Sequence, residues 1–579
     1  MNKKILLLII FIAFILRFYK LGEIPLGLNW DEVSNAYNAY SILKTGRDEY
    51  GNLLPLANRS FDDYKPPLYM YLNIPTVAIF DLTPFASRLP SAFLGTLTVL
   101  LIYFFTKKLF EKSVLPFAIN NSPFTVAHLT ALLLAVSPWH LQVSRAGFEA
   151  NIGLFFSVAA FTTLLYSLLN QNHPRTKNLL FIFSAILFGL SAYTYHSQRI
   201  FMPLMIIATF LIFKKEFLQM PKKLVITVVI TILILVLPAV FLVPQEAIVK
   251  RLQATSFQPR QLDIDRAANL IDDDNQENFP LANILHNRRI IFAQTYFKNY
   301  LSHFDLNFLF VKGDYNLRHH IEGMGMFYIF QLPLILIGIY LSILNENTPA
   351  FMPGMKAASS EEKRTLASRL GESIKRRSKQ SMFLLSWLLL SPIPSIAGDA
   401  NPHAVRSLTM IVPLTIFSAV GFTQIYNYLS FKKFFLTPAF SLPTIATTVA
   451  GLIIFHLSLF TYLHNYLRHY PNQSSSSWQY EYLQAVNKTE DLKSQYSKIN
   501  IGPNIEQAYI FWLFYLKYDP TLYQKSGSKL NFDKFYFNEN EPEYPNELYV
   551  NSYLPERFDI VDTIYNLNGE KTIEIGLLK

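Results

Sequence analysis

Cysteine is absent from all 579 residues, and charge is sparse, with Asp, Glu, Lys and Arg together making up 16%. The first absence excludes disulfides and thiolate metal sites. No Gly-rich phosphate loop occurs, nor any HExxH or GxSxG pattern. Nucleotide hydrolysis, zinc proteolysis and serine-hydrolase chemistry therefore have no support, and neither has use of a cytosolic nucleotide-sugar. No repeat of solenoid length stands out. After the first apolar run, RFYKLGEIP offers no small-residue cleavage site, so that run reads as an uncleaved first span.

What is present is apolar surface. Hydrophobic residues make up 51% of the chain, with 49 Phe and 33 Tyr, too much for an ordinary soluble domain of this length. The apolar runs predict a polytopic α-helical membrane protein with about eleven spans of bilayer-crossing length. They lie near 4–20, 86–106, 124–141, 149–169, 178–196, 199–213, 222–243, 325–344, 381–397, 407–429 and 444–466. Lys3/Lys4, Lys107/Lys108/Lys112, Arg175/Lys177, Lys214/Lys215/Lys222/Lys223 and Lys432/Lys433 all fall on one side of these spans. Cytoplasmic loops retain such residues, so the N-terminus is expected inside and the C-terminus outside, in a cell membrane. The net charge of +10 is then a topology signal, with no nucleic-acid partner implied.

The expected organisation is a membrane module over 1–469 and an extracytoplasmic domain over 470–579. The module carries outer loops at 21–85 and 244–323 and a cytoplasmic insert at 345–379, read as a linker leading into a basic amphipathic helix on the inner leaflet. In the tail, SKINIGP, ELYVNSYL and KTIEIGLL have strand character, while EQAYIFWLFYLKY suits a helix or a buried strand. A small α/β domain follows.

Chemistry is concentrated at the outer ends of the spans. In LNWDEVSNAY, Asn29 is placed to cap a helix starting at Trp30, with Glu32 completing a capping box and Asp31 complementing the positive helix end. A carboxylate so fixed at the membrane surface is also well oriented as a general base. Outer junctions should be poor in cations, yet Lys65, Arg88, Arg145, Arg199, Arg318 with His319, and His403 with Arg406 all sit at them. One such residue can simply snorkel to headgroups. Gathered on one face, they suggest a bound anion, and a lipid phosphate is the natural candidate. Asp272-Asp273-Asp274 reads as a solvated turn, and His456 and His464 as hydrogen-bonders between helices. No residue set is assigned to a metal.

The order of motifs, WDEVSNAY, DYKPPLYMYL, SRLPSAFLGTLTV, LLAVSPWHLQVSRAGFEANIG, YTYHSQRIFMPL, GDYNLRHHIEGMG and NPHAVRSLTMIVP, resembles the bacterial membrane glycosyltransferases related to protein O-mannosyltransferases and to the lipid A aminoarabinose transferase. It covers roughly residues 1–430. The resemblance implies a GT-C fold and transfer of a sugar from a polyprenyl-phosphate carrier, on the outer face, to a protein, lipid or glycan acceptor. It implies Asp31 as the catalytic base or its neighbour, beside Glu32, and Lys65 and Arg406 at the lipid phosphate. Asp63 falls near a second acid of relatives, but the offset of DDYKPP leaves Asp62 and Asp63 as alternatives. Single displacement would invert the anomeric centre; a divalent metal is left open, since relatives differ. The rival readings are a flippase or transporter of lipid-linked sugar and a noncatalytic scaffold. Charges clustered at the outer boundary, rather than at the midplane, argue against transport.

Overall fold

The computed structural model describes residues 3–61, 63–111, 124–169, 173–241, 261–344, 379–398, 400–435, 442–526, 530–540 and 544–579. Asp62, Lys112 and nearly all of the 345–379 insert lie outside the described residues.

Each apolar run expected to span is helical over most of its described length. These helices include α1 (Lys3–Phe18), α4 (Pro84–Phe110), α7 (Glu149–Leu169), α8 (Pro174–Ser191) and α9 (His196–Ile212), followed by Lys222–Phe241, Gln331–Leu344, 379–390, Ile411–Phe435 and Leu442–His464. Pro84–Phe110, Glu149–Leu169, Lys222–Ala239 and Leu408–Asn427 are, among the described residues, long and apolar enough to cross a membrane unaided. The run at 124–141 is not one straight span. It breaks into α5 (Val126–Ala135) and α6 (Pro138–Arg145), bent by 54°. Pro138 cannot continue the hydrogen-bond ladder, and Ser137 restarts the helix by accepting from the His140 N–H at 3.4 Å. Leu7, Leu8 and Phe11 on α1 are exposed, as are Ile226, Ile230 and Ile234 on Lys222–Phe241. Such apolar surface is stable against lipid rather than water.

Outside the spans, α2 (Trp30–Thr45), a hairpin of β1 (Asn58–Ser60) and β2 (Asp63–Lys65), and α3 (Leu68–Phe80) form the first loop. The tail folds into a mixed five-stranded sheet in the order β4-β3-β5-β7-β6: β3 Lys498–Ile501, β4 Phe535–Phe537, β5 Glu547–Asn551, β6 Phe558–Tyr565 and β7 Lys571–Leu578. β3 runs parallel to β4 and β5, and β7 antiparallel to β5 and β6. The ambiguous EQAYIFWLFYLKY is a helix at its centre, Ala508–Tyr515, with Ala508 to Phe514 all buried. Its apolar side chains share one core with Val33, Ala36, Tyr37 and Met70 of the first loop. The tail therefore shares its main core with that loop, and Tyr549, Leu554 and Phe558 form a small cluster of its own.

Two smaller expectations fail. Asp272, Asp273 and Asp274 lie in the helix Gln261–Gln276, where Asp274 pairs with His286 at 3.0 Å, not in a turn. His456 bonds to the Leu452 carbonyl of its own helix, and His464 meets His469 one turn on, so neither bridges helices. Both partners are supplied by the same rod, one turn away.

Candidate active site

Asn29 caps α2 through its side-chain oxygen, which accepts from Asp31 N–H at 2.8 Å and Glu32 N–H at 3.0 Å, and Glu32 returns an oxygen to the Asn29 N–H at 3.1 Å. The capping box sends the two acids in different directions. Glu32 is fully buried, and Arg88 Nε donates to Oε1 at 2.9 Å and Gly147 N–H at 2.7 Å. Arg88 spends its other donors on the carbonyls of Leu21, Pro25 and Gly27. Glu32 and Arg88 are thus a buried bolt joining the first loop to α4 and to the turn before α7. Of the two residues expected in catalysis and at the donor, each thus holds the other's charge in a buried setting.

Asp31 keeps a third of its side chain exposed (34%) and is paired with Lys65 Nζ. The hairpin positions that lysine. Its strands pair Asn58 with Lys65, and it is tied to α2 by Ser60 Oγ to Ser34 Oγ at 2.9 Å and by Asn58 Nδ2 to Asn35 Oδ1 at 3.1 Å. Asn35 in turn donates to Glu149 Oε1 at 2.9 Å. Glu149, the first residue of α7, is buried within electrostatic reach of both Lys65 and Asp31. Sequence reasoning passed over Glu149; the signal was an acid at the outer mouth of a span, four residues after Arg145. Asp63 accepts from its neighbour Tyr64 N–H at 2.8 Å on the hairpin.

A second cluster adjoins the first. The Arg318 guanidinium lies 5.2 Å above the ring of Trp30, next to Asp31, and His319 packs edge-on against Phe148, next to Glu149, with ring centres 5.6 Å apart. His319 Nδ1 shares a proton with Asp314 Oδ2 at 2.8 Å, and the same oxygen accepts from Ala404 N–H at 2.7 Å. The His403 ring is 4.9 Å from that of His319. Burial pushes the Asp314 carboxyl up, but His319, His403 and the Ala404 N–H outweigh it and hold the group below the usual carboxylate range. Three residues beyond His403, the half-buried Arg406 guanidinium rests against Gly398. Among the described residues, the Nη atoms of Arg318 and the whole Arg406 guanidinium meet no acceptor.

Residues 64–241 match the family model described as dolichyl-phosphate-mannose-protein mannosyltransferase. The resemblance to protein O-mannosyltransferases is borne out over that stretch, which contains Lys65, Arg88, Arg145 and Glu149. Among solved structures, the chain is similar to the oligosaccharyltransferase of Archaeoglobus fulgidus tethered to an acceptor peptide, at 14% identity and a TM-score of 0.49 over 88% of this chain. It spans 62% of that protein's length. It is similar to ArnT of Cupriavidus metallidurans bound to undecaprenyl phosphate at 12% identity and a TM-score of 0.48, covering 99% of this chain and 98% of the other. The match to the S. cerevisiae protein O-mannosyltransferase Pmt1-Pmt2 complex bound to the sugar donor has 18% identity and a TM-score of 0.31, over 43% of this chain and 34% of that one. No curated protein matches the sequence.

The remaining expected cations divide between scaffold and site. Arg145 is buried; its Nη atoms donate to the carbonyls of Leu16, Arg17, Lys20 and Ile24, and Nε to Tyr466 Oη at 3.1 Å. It closes the C-terminal end of α1, where carbonyls lack helical partners. Arg199 donates Nε to the Ala192 carbonyl at 2.9 Å, holding the turn between α8 and α9. Lys65 pairs with Asp31, Arg318 lies over Trp30, and Arg406 lies beside Gly398.

Proposed function

We propose that the chain is a membrane glycosyltransferase that moves a sugar from a polyprenyl-phosphate carrier to an acceptor hydroxyl on the extracytoplasmic side. The observation that carries this reading is the half-open Asp31–Lys65 pair, joined through Trp30 and Phe148 to Arg318 and the Arg406 segment. A phosphate arriving at this face competes for the Lys65 ammonium, which frees a lone pair on Asp31. The acceptor oxygen then bonds to the anomeric carbon as its proton passes to Asp31. The bond from that carbon to the phosphate oxygen breaks, and the electron pair leaves on the lipid phosphate, stabilised by Lys65, Arg318 and Arg406. One displacement inverts the anomeric centre. Glu149 and Asn35 hold the Lys65 hairpin and tune the field at the site.

This reading places the N-terminus in the cytoplasm and the tail domain outside. Supplying the purified chain with polyprenyl-phosphate sugar and an acceptor should release polyprenyl phosphate. Asp31→Asn should lower that release by at least ~10²-fold while donor binding persists. Full activity in Asp31→Asn would remove Asp31 from the mechanism. Movement of intact donor across vesicles without release of the phosphate would favour the flippase reading.

A further inference from the structure

We propose that Asp314, His319 and His403 form a binding site for one divalent transition-metal ion, zinc by its donor types, which clasps the second outer loop to the segment carrying Arg406. The three side chains bring ligand atoms within 4.8 Å of one another. Tetrahedral ligands about 2.0–2.2 Å from zinc stand roughly 3.4 Å apart, so side-chain motion alone closes the site. Two imidazoles with one carboxylate suit zinc or its neighbours better than magnesium or calcium.

The surroundings have the character of an outer coordination shell. Asp314 Oδ2 is already oriented by the Ala404 N–H, and Phe148 walls the His319 ring. His303 Nδ1 donates to the Asn299 carbonyl at 2.8 Å, and its Nε2 accepts the His403 backbone N–H at 3.3 Å, so it fixes the segment that presents His403. Without metal, His319 Nδ1 and Asp314 Oδ2 hydrogen-bond to each other; the ion takes the place of that bond, and the neutral ring keeps its one proton on Nε2. With one carboxylate and two neutral imidazoles, the bound site carries one net positive charge, between Arg318 and Arg406. Its effect on donor capture, unlike metal binding itself, rests on the function proposed above.

The test uses the full chain in detergent. After loading with zinc and desalting, elemental analysis should find one zinc per chain, and cobalt loading should give the visible absorption of a low-coordinate site. His403→Ala and Asp314→Asn should each abolish both signals, while His456→Ala, far along the last span, keeps them. Zinc should also raise the thermal midpoint of the unaltered chain, and a chelator should reverse it. Absence of stoichiometric zinc in the unaltered chain, or undiminished zinc in both site variants, overturns the proposal, whatever the transferase assay shows. If transfer occurs, chelation should raise KM for the lipid donor at least tenfold with kcat changed less; equal loss of kcat would overturn the donor-capture role.

Discussion

Asp31 and Glu32 are adjacent yet have opposite fates, because successive helix positions turn by about 100°. One faces an open surface, the other the dry packing between α2 and α4. Removing one member of a buried ion pair leaves the other unpaired, at a cost of about 3–5 kcal/mol. Arg88→Ala is therefore expected to lower folded yield and thermal midpoint sharply, and Asp31→Asn to change neither; size-exclusion profiles with thermal scans compare them. Glu49 provides a pH test at the same scale. Burial pushes its carboxyl up to about 8 from 4.5, against the opposing Asn38 hydrogen bond, and it lies beside Tyr509 of the tail. Between those two values the folded chain holds a proton that the unfolded chain gives up, so stability falls as pH rises across that window. Glu49→Gln should raise the apparent midpoint at pH 8 and leave it unchanged at pH 4.5. The capping box was legible in the sequence because it joins residues three apart. The partner of Glu32 was not, since Arg88 lies 56 positions on and looks like any outer-junction cation.

At the scale of elements, the Lys65 hairpin and the α2 entry decide the site's geometry. Gly27 sits at φ +81°, a left-handed conformation that disfavours side chains, and a Cβ there would collide with the Trp478 carbonyl. Gly27→Ala should loosen the entry to α2 from the tail, seen as faster proteolysis after Ser475–Tyr480 and reduced transfer with the spans intact. Spans and the strands β3, β5 and β7 could be read from hydrophobic pattern. The bend between α5 and α6 needed Pro138 to be weighed as a break, and β4 escaped notice because a three-residue strand carries too little periodicity. The β6 strand was missed for a different reason: its outer face alternates with charge and reads as loop.

For the whole molecule, the lack of cysteine becomes an experimental asset. Single cysteines can report sidedness without background. Leu522→Cys, exposed on the tail, should react with a membrane-impermeant maleimide in intact cells; Lys215→Cys, exposed beyond α9, should react only after permeabilisation. The reverse pattern would invert the topology argued from the lysines and arginines. The tail also braces the first loop: Tyr37 Oη donates to the Tyr518 carbonyl at 3.0 Å, and Gln524 reaches Ser41 and the Asp48 carbonyl. The helix that presents Asp31 is braced along its length by residues almost five hundred positions away.

By itself the sequence determined the membrane character, the eleven helical runs, the α2 cap and the strand-bearing tail, since each depends on neighbours within a turn or on a repeating apolar face. Only the tertiary structure decided which cations are consumed by the scaffold. Arg88 and Arg145 are enclosed by carbonyls and a carboxylate, whereas Lys65 pairs with the part-exposed Asp31 and Arg318 lies over Trp30. It also brought Asp314 and His319 to His403, across about ninety residues. Local chemistry can say that a charge is costly to bury, but packing alone supplies the partner that makes burial tolerable.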